Sequence, residues 1–94
     1  MTDDRILKVL DEYEVFLRRK EIEPLKAPKC NFPRSKKSTL AHCYDMIQRV
    51  RQLLKIDRDE ALIRFGFLQG VLWELRIKTI DQLCQDNGLT VKPC

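Results

Sequence analysis

Two glycines, Gly66 and Gly70, interrupt the strongest helical pattern of this sequence, in the stretch Gly66-Phe67-Leu68-Gln69-Gly70-Val71-Leu72-Trp73. Each costs a helix interior roughly 0.8–1 kcal/mol relative to alanine. Around them Ala61, Phe65, Leu68, Leu72 and Leu75 recur at helical spacing. Leu62, Ile63 and Trp73 flank the glycines, Phe67 and Val71 occupy a remaining flank, and Gln69 is the only polar side chain deep in the stretch. A helix apolar nearly all round is expected to be buried on more than one side. Glycines one turn apart let a neighbouring backbone come close.

The rest of the chain reads as helix too. Thr2 can cap a first helix over about residues 3–20, with Asp3 and Asp4 at its positive end. Ile6, Val9, Leu10, Tyr13, Phe16 and Leu17 share one face of it. Residues 21–37 hold Pro24, Pro28 and Pro33 and read as a long connection. A second helix is expected from Ser38 or Thr39 to about Lys55. Its Leu40, Cys43, Met46, Ile47, Val50, Leu53 and Leu54 lie within an arc of about 140°. Asp57 and Glu60 suggest a capping box opening the third helix, and Thr79 with Gln82 repeats that logic for a short fourth. Asn87-Gly88 should end it, and residues 88–94 read as a loose tail. No strand-like alternation occurs. The expected fold is all-α: one domain over residues 1–94, an antiparallel three-helix bundle with a short fourth helix. A chain of 94 residues buries only about 60–65% of its unfolded surface, so help from a partner or from self-association is expected.

Three occupants are open for the glycine face made by Leu62, Ile63, Gly66, Gly70 and Trp73. Helix one or the 21–37 segment could cross there within one chain. Two copies could meet as a homodimer. A foreign protein could dock. The charged flanks exclude a membrane-type glycine seam.

Positive charge is concentrated elsewhere. Between residues 18 and 37, Arg18, Arg19, Lys20, Lys26, Lys29, Arg34, Lys36 and Lys37 stand against Glu21 and Glu23, a net charge of +6. The whole chain is +4, so the remainder is −2. This segment, with Phe32, could dock an acidic protein surface or neutralise phosphates; a solvated loop is the plain alternative. A helix-turn-helix is disfavoured, because helix three lacks an exposed polar face and begins with Asp57, Asp59 and Glu60.

Signs of catalysis are few. His42 is the single histidine and sits at the edge of an apolar arc, where a structural role is expected. Cys30, Cys43, Cys84 and Cys94 form no CxxC pair. Adjacent His42 and Cys43 diverge by about 100° on a helix, which argues against a shared zinc. No phosphate loop, dinucleotide fingerprint or zinc-protease motif occurs. Neither enzyme activity, cofactor nor metal is expected. Tyr44 and Trp73 are candidate interface anchors, with Trp73 more readily read as core. An acidic N-terminus without an apolar signal core, and no run of about 18 apolar residues, suggest a cytoplasmic protein.

The octapeptide at 66–73, the following Thr79-Ile80-Asp81-Gln82-Leu83 and the upstream Thr39-Leu40-Ala41-His42 with Met46 resemble small uncharacterised helical proteins of tailed bacteriophages and prophages. The likeness covers about residues 39–86 and centres on a Gly-Phe-x-Gln-Gly-x-Leu-Trp pattern. In that group an arginine and an aromatic residue precede Leu-Gly-Phe; here Ile63 and Arg64 stand in those places and Phe65 replaces the leucine. The resemblance implies a setting, a phage accessory protein in the bacterial cytoplasm, and carries no activity with it. Small phage proteins of this kind often act by binding a host protein, including components of defence systems. The expected function is therefore protein–protein interaction with a host protein or a second copy. Nucleic-acid binding through residues 18–37 is the alternative.

Overall fold

Four α-helices follow one another in the computed structural model, which describes residues 1–26 and 31–89. They are α1 (Asp3–Arg19), α2 (Lys36–Ile56), α3 (Arg58–Glu74) and α4 (Ile80–Asp86). No strand occurs among the described residues, and none of their helices is long and apolar enough to cross a membrane.

Local chemistry sets the boundaries. The Thr2 hydroxyl accepts the Arg5 N–H at 3.2 Å and opens α1. Helix α2 starts two to three residues before the expected Ser38 or Thr39. Ser35 is the cap: its hydroxyl accepts the Ser38 N–H at 3.0 Å, while the Ser38 hydroxyl accepts the Ser35 N–H at 3.1 Å. Serine at the fourth position of the box completes the reciprocal pair as glutamate would. Lys36 and Lys37 therefore belong to the first turn of α2 rather than to the connection.

Asp57 alone turns the chain from α2 into α3. Its N–H donates to the Leu53 carbonyl at 2.7 Å, its carbonyl accepts from Ala61 at 3.0 Å, and its carboxylate accepts the Glu60 N–H at 3.2 Å. The expected reciprocal half of that box is not formed. The Asp57 N–H is already committed to α2, and Glu60 instead pairs with Arg64 at 3.0 Å. Asp57→Ala is expected to cost about 1 kcal/mol, the usual value of such a cap, read as a lowered urea midpoint at unchanged slope.

Three helices end in the same way. Glu21 (φ 59), Arg76 (φ 60) and Gly88 (φ 79) take the left-handed conformation after α1, α3 and α4. The N–H groups of Ile22, Ile77 and Leu89 then return to the carbonyls of Leu17, Leu72 and Cys84 at 3.0, 2.9 and 2.8 Å. Burial of Ile22 helps offset the roughly 1 kcal/mol that a side chain costs in this conformation.

Packing follows from the apolar faces. Leu10 and Leu17 of α1, Ile47, Val50 and Leu53 of α2 and Leu68 of α3 are buried almost completely, each worth roughly 1.5–3 kcal/mol. Cys43 lies in the same core, and burial pushes its thiol up to about 11. Helix α2 contacts both α1 and α3. Cross-links fix the directions. Arg51 of α2 reaches Glu14 at 3.0 Å and Asp11 at 2.7 Å, while Arg18 Nε donates to the Tyr44 hydroxyl at 2.9 Å, so α1 and α2 run antiparallel. Arg58 to Asp3 at 2.8 Å and Gln69 to Tyr13 at 3.1 Å set α3 parallel to α1.

Candidate functional site

At about 100° per residue, α3 divides into two opposed arcs. Ala61, Phe65, Leu68, Gln69 and Leu72 face inward and are buried. Ile63, Gly66, Phe67, Gly70 and Trp73 fall within about 120° on the other side. There Ile63 is 73% exposed, Phe67 62% and Trp73 50%. A Cβ built on Gly66 or Gly70 would meet nothing within 4 Å.

This corrects the expectation of a helix buried on more than one side. Neither helix one nor any described part of the 21–37 segment crosses the glycines. Trp73 is half-exposed rather than core, and Leu62 turns to the flank, partly buried against the core. The physical reason lies in helix count: α1 and α2 fill the inward arc of α3, and α4 docks elsewhere, so no helix among the described residues remains to cover the outer one. The glycines thus relieve no clash within the described chain. Gly66→Ala and Gly70→Ala are each expected to raise stability by about 1 kcal/mol, seen as a higher thermal midpoint in dilute solution.

Phe67 extends the apolar surface sideways. It lines a hollow of about 230 Å³ between α2 and α3, together with His42, Cys43, Met46 and Val71, with Phe32 at its rim. Sequence reasoning placed Phe67 on a flank and named it in no site. Its 40° offset from Ile63 on the wheel was the available signal. His42 is partly buried, and its Nδ1 lies 2.6 Å from the Leu25 carbonyl. A carbonyl can only accept, so that nitrogen carries the proton and anchors Leu25 of the connection to α2. Leu25 is held a second time, its N–H donating to the Ala41 carbonyl at 3.0 Å.

The basic residues fare unequally. Arg18 bonds Tyr44 and pairs with Glu14 at 3.4 Å. The Tyr44 hydrogen bond, then Glu14, holds its guanidinium above the ordinary value. Lys20 sits 5.2 Å from the Phe16 ring centroid. Arg19, Lys26, Arg34, Lys36 and Lys37 are exposed, and Lys29 lies outside the described residues. Phe32, beside them in sequence, is 92% exposed. No acidic residue occupies the first turn of α2 to offset Lys36 and Lys37 at its positive end.

A buried polar cluster was not anticipated. Gln69, 7% exposed, donates to the Tyr13 hydroxyl at 3.1 Å and exchanges two amide hydrogen bonds with Asn87, at 2.7 and 2.9 Å. Tyr13 in turn donates to Asp86 at 2.7 Å, and Asp86 pairs with Lys78 at 3.3 Å. Arg5 adds two bonds at 2.7 Å to the carbonyls of Gln85 and Asp86. None of the α4 residues is itself buried, so this cluster is what fastens α4. Burial raises the Tyr13 phenol well above its usual value; the Gln69 bond pulls it down and the Asp86 carboxylate pushes it further up. All its buried side-chain polar atoms have partners, as a structural clasp requires.

Comparison with protein-family models, with characterised proteins and with solved structures finds no match to this chain.

Proposed function

We propose that this chain is a non-enzymatic interaction module of phage type, an antiparallel three-helix bundle with a short fourth helix, that binds a protein through the outer face of α3. The observation that carries this reading is the exposure of Ile63, Phe67 and Trp73 around two glycines with nothing above them. The largest apolar patch on a protein surface is often functional, and this strip joins two exposed aromatics to an exposed isoleucine. Aromatic anchors beside small residues suit an interface that is tight at its centre. The non-enzymatic part is supported by the side chains best suited to catalysis. Cys43 is buried with its thiol pushed up to about 11, and His42 is tied to a backbone carbonyl. A phage setting, action in the bacterial cytoplasm and inhibition of a host or defence protein belong to the same proposal and rest on the sequence resemblance.

One observation favours nucleic acid as a second reading. Phe32, 92% exposed, stands near Arg34, Lys36 and Lys37, and a bare ring among cations is how single strands are stacked and held.

A capture experiment from bacterial lysate, with and without nuclease, separates the two. The interaction reading expects a protein that survives nuclease and is lost with Ile63→Lys. Capture that vanishes with nuclease, or with Lys26, Lys36 and Lys37 changed to glutamate while Ile63→Lys has no effect, moves the activity to the basic segment.

A further inference from the structure

We infer that the occupant of the α3 face is a second copy of this chain, in an antiparallel symmetric dimer with Gly66 of one copy against Gly70 of the other. The inference rests on reading this face as an interaction surface, and it names the partner.

The spacing is self-complementary. Gly66 and Gly70 lie two residues either side of Leu68, and Ile63 and Trp73 lie five either side. A two-fold axis at Leu68 therefore sets each glycine against the other glycine and each Ile63 against a Trp73. A two-fold interface requires this arrangement, in which residue i meets j and j meets i. Phe67, one residue from the centre, meets its own counterpart beside the axis.

Charge selects the antiparallel direction. Past Arg58, which Asp3 engages, the first turn of α3 carries Asp59 and Glu60, and the helix is followed by Arg76. Antiparallel pairing brings the acidic end of one copy level with Arg76 of the other and opposes the helix dipoles. Parallel pairing would put Asp59 on Asp59 and Glu74 on Glu74.

Size sets the strength. At their observed exposure, Ile63, Phe67 and Trp73 offer roughly 300–400 Å² per copy. With their flanks, two copies would bury on the order of 1,000 Å², the lower limit for a specific interface. The glycines lower the distance of approach without adding area. A reversible dimer is expected, with half-association on the order of 10–100 µM.

Sedimentation of the purified full chain from roughly 5 to 500 µM tests this range. The expected result is a shift from monomer to dimer, accompanied by a blue shift of the single tryptophan, Trp73. Gly66→Ala with Gly70→Ala should weaken association at least about tenfold by forcing the helices apart, while a raised thermal midpoint shows the variant folded. Register is read with cysteines. In a chain whose Cys30, Cys84 and Cys94 are first changed to serine, Ile63→Cys combined with Trp73→Cys should form a covalent dimer under mild oxidation, and Ile63→Cys alone should not. In the proposed register the two copies of residue 63 stand ten residues, about 15 Å, apart along the axis. A monomer throughout the range overturns the inference, as does a dimer indifferent to the alanines or one that Ile63→Cys alone cross-links. If the chain stays monomeric yet captures another protein in a manner abolished by Ile63→Lys, the dimer is refuted and the interaction reading stands. If α3 matters to neither, both fall.

Discussion

Replacing Gln69 by alanine is expected to lower stability by about 3 kcal/mol and to release α4 first. The substitution removes one side chain and breaks three hydrogen bonds. The Asn87 amide loses both its partners, and the Tyr13 hydroxyl loses its donor while still bound to Asp86. A buried polar group left unpaired costs about 1–3 kcal/mol, and the space vacated adds to this. Hydrogen exchange across α4 should accelerate well before exchange in α2 and α3, because no buried apolar side chain of its own holds α4. A double-mutant cycle of Gln69→Ala and Asn87→Ala should show strong non-additivity, since the second change removes the group the first one orphans. Additive losses, with α4 still protected in the single variant, would mean that the clasp is not what holds it.

Alkaline solution should weaken the fold from about pH 9 upward. Burial disfavours the thiolate and pushes the Cys43 thiol up to about 11 in the folded chain, against 9.0 for an open one. Above pH 9 the unfolded chain releases this proton and the folded chain keeps it. The folded state then binds more protons, so stability falls as pH rises. The contribution is complete below pH 9 and is lost on passing through about 11, a difference of about 2–3 kcal/mol. Tyr13 acts with the same sign. Burial first, and Asp86 behind it, hold its phenol above the ordinary value of 10.0 despite the Gln69 bond. From pH 10 upward it therefore adds to the fall. Urea midpoints at pH 8, 9.5 and 11, with reductant present, should decline steadily. Cys43→Ala should flatten the first part of that decline; an unchanged midpoint up to pH 11 would show that neither group is as enclosed as described.

Helix positions were legible because they depend on neighbours in sequence. Thr2, Asp57 and Thr79 each cap a helix as their spacing suggests. Ser35 is less legible because Ser38 and Thr39 stand closer to the apolar run, and because serine rather than glutamate completes its box. The inward arc of α3 was legible for the same local reason. What covers its outer arc was not, since a helical wheel shows which residues share a face and says nothing of how many helices are left to meet it. The clasp was out of reach altogether. Tyr13 read as one more apolar position, and the pairing of Gln69 with residues 56 and 18 positions away leaves no periodic trace.

Those same separations order events in time. The α2–α3 hairpin turns on one residue and can close as soon as Asp57 is in place, a local step of the kind that makes helical proteins fold fast. The bonds from Arg5 and Tyr13 to the end of α4 join residues 81, 80 and 73 apart. They cannot be made until nearly the whole chain is assembled, so the clasp is expected to close after the rate-limiting barrier. Damage to it should then leave the refolding rate almost untouched and appear as faster unfolding. The clasp would act as a latch on the finished molecule, setting how long the folded state lasts rather than how quickly it is reached.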